Sequence, residues 1–378
     1  MTRSDHPGSP ARRSRHRHRS GARRSPVLSL ALSAVALLAA GALTAAWAMT
    51  GTGPGRSARP ESAAGPSRTP AGPGAAPATP SRTPAGRPSP PVRLPVGTIG
   101  SYQVAGHQFS FVDRSRVGLG PRALPAFVRY PVIPAPAAAS GRLAHGLFPL
   151  VVFAPGYTQC QGSYAALLNT WASAGYVVAG VDFPRTNCQV ASPDENDLVN
   201  QPADMSYVIR QLLAVSGQPH GFLAGLIAPG RIAVAGHSDG GDTVAAIAAN
   251  SCCRDPAVTA VMVFSGAEWP PMPGAYFTAT TPPILFVQGD ADDINPPADS
   301  VTMYQTDTTG PRYYLDLLGQ GHVPPYESHD PAALVVARVT VDFLNRYLAG
   351  NPRAVTAMRQ DADVAAVATL VSGGQSPP

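Results

Sequence analysis

One strand–turn–helix segment constrains this chain more than any other. A short apolar run at 232–235 is typical of a buried strand, and it ends at Gly236-His-Ser-Asp-Gly240. An alanine-rich helical pattern follows over 242–250. The glycines on either side of Ser238 let the backbone turn sharply without Cβ clashes. We therefore expect the serine to project from the carboxyl end of its strand.

The pattern around this segment indicates an α/β fold. Continuous apolar runs that alternate with helical patterns predict a mostly parallel, twisted sheet with helices on both faces. The connection at 267–283 is too short for a folded cap, so no large cap domain is expected. The predicted strands are 100–104, 109–113, 126–132, 148–153, 176–181, 232–235, 258–264, 284–287 and 313–317, and the predicted helices are 164–174, 205–215, 242–250 and 332–348.

Composition divides the chain into five predicted segments. Residues 1–24 are expected to be a basic cytosolic tail, and 25–50 a transmembrane anchor or a signal peptide. The charge-free run there has about 23 residues, enough to cross a bilayer at 1.5 Å each. Residues 51–96, rich in Pro, Ala, Ser and Thr, predict a disordered linker. A catalytic domain is expected at 97–350, followed by a helix and a disordered tail at 351–378. Either form of the second segment exports the domain, so an extracytoplasmic location is expected.

The charge of the whole chain differs from that of its folded part. The formal net charge is +5, but from residue 97 onward there are 14 Arg and 21 Asp plus Glu, or 14 − 21 = −7. The basic excess belongs to the N-terminal tail, which argues against a nucleic-acid-binding domain. We expect a monomer whose membrane contact is limited to the N-terminal span, and no residue pattern predicts a metal or an organic cofactor.

A reactive serine needs a base held by a carboxylate, and in this strand–turn–helix architecture the chain order is Ser, then Asp or Glu, then His. Two histidines follow Ser238, and His322 is preferred over His329 because it lies directly after the last predicted parallel strand. The loop after 284–287 offers three carboxylates. Its spacing from Gly289 and Pro296 favours Asp292, and the alternatives are Asp290 and Asp293.

Two backbone N–H groups are expected to hold the developing oxyanion. One belongs to Asp239, directly after the serine, and the other to Tyr157 in the loop after 148–153. The ring of Tyr157 either flanks the substrate or packs in its loop. Trp269 either lines the acyl pocket or packs in a proline-rich surface turn, and His237 is a further candidate for the substrate pocket.

These residues carry a family resemblance. The segments Gly236–Gly241, Val287–Asp292, Gly321-His322 and Phe153–Tyr157 together resemble the α/β-hydrolase superfamily. Within it, the chain is similar to the bacterial dienelactone-hydrolase, chlorophyllase and platelet-activating-factor-acetylhydrolase-like group and to cutinase-like polyester hydrolases. The resemblance implies nucleophile Ser238, acid Asp292, base His322 and oxyanion donors Tyr157 and Asp239. Gln288 departs from the His that many members carry before the glycine, at a position that is not catalytic.

The implied function is an exported serine hydrolase that cleaves lipid, bulky or polymeric carboxylic esters through an acyl-enzyme. The alternatives are an amidase or peptidase on the same triad and a non-catalytic surface-binding protein on a hydrolase scaffold. In this fold the loops that carry Cys160 and Cys188 are neighbours, which predicts a disulfide between them. Cys252 and Cys253 form either a vicinal pair or two free thiols.

Overall fold

The computed structural model describes residues 96–133, 142–143, 146–327 and 329–377. Within these residues one sheet contains ten strands, nine of them in the order β1-β2-β5-β4-β6-β7-β8-β9-β10, with β3 paired to β2 at one side. The strands are β1 (Gln103–Asp113), β2 (Arg122–Ile133), β3 (Arg142–Leu143), β4 (Phe148–Ala154), β5 (Val177–Val181), β6 (Ile227–His237), β7 (Ala260–Phe264), β8 (Ile284–Gly289), β9 (Arg312–Leu317) and β10 (Ala368–Ser372).

The central part of the sheet is parallel, as the sequence predicts. Strands β5, β4, β6, β7, β8 and β9 pair in parallel, while β2 and β10 add antiparallel strands at the two sides. Strands β4, β5, β7 and β8 are buried along their whole length. Full burial is what continuous apolar runs require, because both faces of such strands are covered.

Helices cover both faces of the sheet and separate two hydrophobic cores. Residues of α2, α3 and α4 contribute to one core, and residues of α1, α6 and α7 to the other. The helices are α1 (Ala165–Ser173), α2 (Gln201–Ser216), α3 (Asp239–Ala249), α4 (Pro297–Thr306), α5 (Pro324–Glu327), α6 (Pro331–Tyr347) and α7 (Ala354–Ala362), and a 3₁₀ helix spans Glu195–Asn200.

The sheet extends past the boundary predicted at residue 350. Helix α7 buries Met358 against the second core, and β10 pairs with β9 from Ala368–Leu317 to Ser372–Tyr313. The helix predicted after residue 350 is present as α7, but residues 368–372, beyond that helix, form strand β10. At the other side, the two strands predicted at 100–104 and 109–113 are one continuous strand, β1.

The predicted tail, membrane span and linker lie outside the described residues. Among the residues that the structure does describe, no helix is both long enough and apolar enough to cross a membrane. The connection from β7 to β8, residues 265–283, is described throughout and contains no helix, as expected for a site without a large cap.

A buried ion network fixes the 3₁₀ helix against the sheet. Arg122 of β2 donates to both carboxylate oxygens of Asp197 at 2.8 and 2.7 Å. It also donates to Asp204 in the first turn of α2, and Arg116 pairs with the same carboxylate. Two guanidinium groups thus compensate the buried carboxylates, which would otherwise carry a large desolvation cost.

The predicted disulfide between Cys160 and Cys188 is confirmed, with Cα atoms 5.2 Å apart. It joins the loop after β4 to the loop after β5. Cys252 and Cys253 form a vicinal disulfide after α3. The structure therefore contains the vicinal form of the two alternatives that the sequence left open.

The two disulfides close loops of very different length. The paired cysteines are separated by 28 positions in Cys160–Cys188 and by one position in Cys252–Cys253. Replacing Cys160 and Cys188 together with serine should lower the free energy of unfolding by about 3 kcal/mol, because the unfolded chain gains loop-closure entropy. The Cys252→Ser/Cys253→Ser double variant is the matched control, and its free energy of unfolding should fall much less. Urea denaturation measures both, and equal losses would contradict the loop-closure account.

Candidate active site

Ser238 occupies a sharp turn between β6 and α3. Its φ of 56° lies in the left-handed region, which residues other than glycine rarely adopt. Its backbone N–H donates to the carbonyl of Phe264 in β7 at 3.0 Å. A Cβ on Gly236 would collide with the carbonyl of Gly240, and a Cβ on Gly240 would collide with that of Ala154. The turn therefore requires glycine at both positions.

His322 and Asp292 come together from the loops after β9 and β8. The imidazole Nδ1 of His322 lies 2.8 Å from Oδ2 of Asp292. The ring centroid of His322 is 4.6 Å from that of His237, the residue before Ser238. Because the carboxyl ends of parallel strands share one edge of the sheet, the three loops converge there. An Nδ1–H that donates to the carboxylate leaves Nε2 of His322 as the basic nitrogen.

The carboxylate of Asp292 is held by four hydrogen bonds. Its Oδ1 accepts from the backbone N–H of Ile294 at 3.0 Å and of Asn295 at 2.9 Å. Its Oδ2 accepts from Gln288 Nε2 at 2.9 Å as well as from His322. Burial opposes ionisation, but the hydrogen bonds from His322 and the backbone outweigh it and lower the pKa of Asp292 below its usual value.

Gln288 is a positioning residue that the sequence analysis missed. It lies fully buried in β8, and its Oε1 accepts from the hydroxyl of Ser300 in α4 at 2.7 Å. That hydroxyl also lies 3.0 Å from the carbonyl of Gly266. With its acceptor fixed by Ser300, the amide of Gln288 presents Nε2 to Asp292. The departure from His at this position is a sequence signal, because it places a different N–H donor beside the predicted carboxylate.

His237 lies beneath the site, with 2% of its surface exposed. Its Nε2 is 2.8 Å from the carbonyl of His322, and its Nδ1 is 2.8 Å from the hydroxyl of Tyr164. A carbonyl only accepts, so Nε2 carries the proton and Nδ1 accepts from Tyr164. Burial, followed by repulsion from His322, lowers the pKa of His237 to about 3. Its ring thus anchors the His322 loop and does not line an opening.

Tyr326 supports the same loop from its other end. Its hydroxyl lies 3.1 Å from the carbonyl of Val287 and 3.1 Å from the hydroxyl of Ser265. Its ring stacks on Phe264 with a centroid distance of 5.2 Å, and its centroid is 4.6 Å from that of His237. The loop from His322 to Tyr326 is therefore fixed to β7, β8 and the turn.

The alternative base and the alternative acids that the sequence offered lie outside the His322–Asp292 pair. His329 is exposed beside α6, and Asp293 is exposed. The carboxylate of Asp290 accepts from the backbone N–H of Gly319 at 2.6 Å. The structure thus brings His322 and Asp292 together, and it does not bring these alternatives into that pair.

The loop after β4 is joined to the loop after β5 by several bonds. The hydroxyl of Tyr157 donates to the carbonyl of Pro193 at 3.2 Å, and the N–H of Thr158 donates to that of Thr186 at 2.7 Å. The Cys160–Cys188 disulfide adds a covalent link. Asp239 is the first residue of α3, where N–H groups have no acceptor within the helix.

Trp269 both packs against neighbouring side chains and lines a cavity, the two alternatives that the sequence left open. It is half-buried, packs beside the small cluster that contains Met272, and lines a cavity next to Asp239. The carboxyl of Asp239 is buried in the same region, and burial together with the charge of Glu195 raises its pKa to about 7.

The mostly parallel open sheet, with its serine turn before α3, defines the chain as an α/β hydrolase. The model of the PET hydrolase-like family matches residues 133–369, more than half of the chain. The chain belongs to this family, which confirms the resemblance to cutinase-like polyester hydrolases.

One characterised relative gives a further comparison. The chain is 29% identical over 212 residues to bis(hydroxyethyl) terephthalate hydrolase of Streptomyces coelicolor. That similarity covers 55% of this chain and 60% of the relative.

The buried state of His237 predicts a pH dependence of stability. Its pKa of about 3 in the folded protein lies below the ordinary histidine value of 6.5. Between these values the unfolded chain binds one more proton, so this contribution is present above pH 6.5 and is lost as the pH falls. The substitution His237→Gln removes this pH-dependent contribution to stability. Between about pH 4 and 6, the slope of unfolding free energy against pH should become less positive by about 1.4 kcal/mol per unit. Urea titrations measure this slope, and an unchanged slope would contradict a neutral buried imidazole.

Proposed function

We propose that the protein is an exported serine hydrolase that cleaves carboxylic esters through Ser238, His322 and Asp292. The observation that carries the proposal is the 2.8 Å hydrogen bond between His322 and Asp292 at the edge of the sheet where the turn presents Ser238. Membership of the PET hydrolase-like family supports ester bonds as the target.

The proposed reaction has two acyl-transfer steps. Ser238 attacks the ester carbonyl while Nε2 of His322 takes the hydroxyl proton and then passes it to the leaving alcohol. Asp292 holds the Nδ1–H and stabilises the imidazolium. The backbone N–H groups of Tyr157 and Asp239 donate to the oxyanion. Water, deprotonated by His322, then attacks the acyl-enzyme, and its proton returns to Ser238 as the acid leaves.

Esters of bulky or aromatic acids are the proposed substrate class. The Streptomyces coelicolor relative is named for bis(hydroxyethyl) terephthalate, which supports aromatic diesters and their polymers as candidates. The helix-free loop at 265–283 leaves room for such substrates. Two disulfides support a location outside the cytoplasm. The apolar run within 25–50 either anchors the protein to the membrane or is removed as a signal peptide. Both alternatives are part of this proposal.

Replacing the nucleophile tests the mechanism. Ser238→Ala should lower turnover of p-nitrophenyl butyrate by about 10⁴-fold or more, because no hydroxyl remains to be acylated. It should also abolish labelling by a fluorophosphonate probe, while urea denaturation reports an unchanged fold. Ser163→Ala, at an exposed serine before α1, is the control and should retain both. Labelling that persists in Ser238→Ala would contradict the assignment.

The same assay separates the two alternative functions. Faster turnover of p-nitroanilides than of p-nitrophenyl esters would indicate an amidase or peptidase. A wild-type protein that neither turns over esters nor reacts with the probe would indicate a binding protein.

Gln288 should act on catalysis through Asp292. Gln288→Met keeps the length of the side chain but removes the N–H donor, so kcat should fall about tenfold with little change in KM. The acidic limb of the kcat–pH profile, which reports the general base, should move, because Asp292 loses a hydrogen bond that stabilises its charge. Gln288→His, which returns a ring N–H donor, should restore most of kcat. A Met variant with wild-type kcat and pH profile would contradict this role.

A further inference from the structure

An acidic cavity borders the turn that carries the proposed nucleophile. It has a volume of about 390 Å³ and lies between the 3₁₀ helix, the start of α3, the loop after β7 and the start of α4. No arginine or histidine is among the described residues that line it. The lining residues that matter here are Glu195, Asp239, Asp242, Glu268, Trp269 and Asp299.

A buried carboxyl of this cavity has one oxygen without a hydrogen-bond partner. Asp239 is 8% exposed, and its Oδ2 has no hydrogen-bond partner among the described residues. Asp242, one turn along α3, is also buried, and its Oδ1 accepts from the N–H of Ala267 at 2.6 Å. A buried carboxylate oxygen without a donor carries a desolvation cost that a bound cation would offset.

The other carboxylates face the same space from separate elements. Glu195 lies on the 3₁₀ helix, Glu268 in the loop after β7 and Asp299 in α4, and all three are exposed. After burial, repulsion from Asp239, Asp299 and Glu195 raises the pKa of Asp242 well above its usual value. A raised pKa favours the neutral form of Asp242, so the negative potential that attracts positive charge comes mainly from the exposed carboxylates at the rim.

Trp269 adds an aromatic surface to this negative cavity. Indole is the aromatic ring that binds cations best, and ammonium groups are recognised by aromatic rings together with carboxylates. The carboxyls are spread around a cavity large enough for an organic group and are not gathered at one point. Asp239 directly follows Ser238, so a group bound here lies beside the turn that carries the proposed nucleophile.

We propose that this cavity is a subsite for a cationic group, such as an ammonium, on the ester substrate. The proposal rests on the ester hydrolase activity proposed above. It adds a substrate class: esters with positive charge in the alcohol or acyl part are preferred over neutral esters of the same shape, and anionic esters are disfavoured.

Matched substrates test the proposal. Butyrylcholine and 3,3-dimethylbutyl butyrate differ only by the exchange of a trimethylammonium for a tert-butyl group in the alcohol. The 4-nitrophenyl esters of 4-(trimethylammonio)butanoate and 5,5-dimethylhexanoate make the same exchange in the acyl part. For at least one pair, the cationic-to-neutral ratio of kcat/KM should be about tenfold or more in low salt, and added NaCl should lower it.

Variants at the rim connect the preference to the cavity. The triple variant Glu195→Gln, Glu268→Gln and Asp299→Asn should lower the cationic-to-neutral ratio at least fivefold. Asp363→Asn, which neutralises an exposed carboxylate after α7, is the matched control and should leave the ratio unchanged. Trp269→Leu should lower the ratio by removing the aromatic surface.

Each outcome decides between the two proposals. Neutral esters that are hydrolysed as fast as cationic ones, or a ratio that the triple variant does not change, would overturn the subsite and leave the esterase proposal standing. No hydrolysis of either ester, together with no fluorophosphonate labelling of Ser238, would overturn the esterase proposal and the subsite with it.

Discussion

Close packing of backbone at the end of β6 is the constraint on which the rest of the site depends. The chain passes from strand to helix at Ser238 with a positive φ, and neither Gly236 nor Gly240 has space for a Cβ. A left-handed φ at a non-glycine residue costs of the order of 1 kcal/mol or more and persists only when its surroundings hold it. Here the N–H of Ser238 is held by β7, and Gly240 packs against the end of β4. The strain is thus supported by three adjacent strands, β4, β6 and β7.

A layer of hydrogen bonds beneath the turn carries that rigidity to the histidine and the carboxylate. The hydroxyl of Tyr164 accepts from the N–H of Gly156 and donates to His237, which in turn donates to the carbonyl of His322. On the far side, Asp292 is fixed by backbone N–H groups and by Gln288. Because each partner is buried and its direction of donation is determined, the imidazole of His322 has little freedom to rotate. Pre-organisation of this kind is what acyl transfer requires.

Sequence reasoning predicted the elements with strong local signals. The fully apolar strands of the parallel sheet and the partners Cys160–Cys188 follow from run length and fold. Helix α4 was missed because its sequence is polar and only Ser300, Met303 and Tyr304 are buried. Strand β10 has no local signal that separates it from the helix and tail predicted after residue 350, since its pairing with β9 depends on a distant partner. The acidic cavity joins residues from four elements, and no local pattern in the sequence brings them together.

The helix-free connection between β7 and β8 has a kinetic consequence. A helical lid over an active-site serine has to move aside before substrate enters, so the rate then depends on what opens the lid. In this protein residues 265–283 present no helix that would have to move. If closure does not limit access, the rate should follow a simple saturation curve through the solubility limit of the ester, without an abrupt rise at the interface.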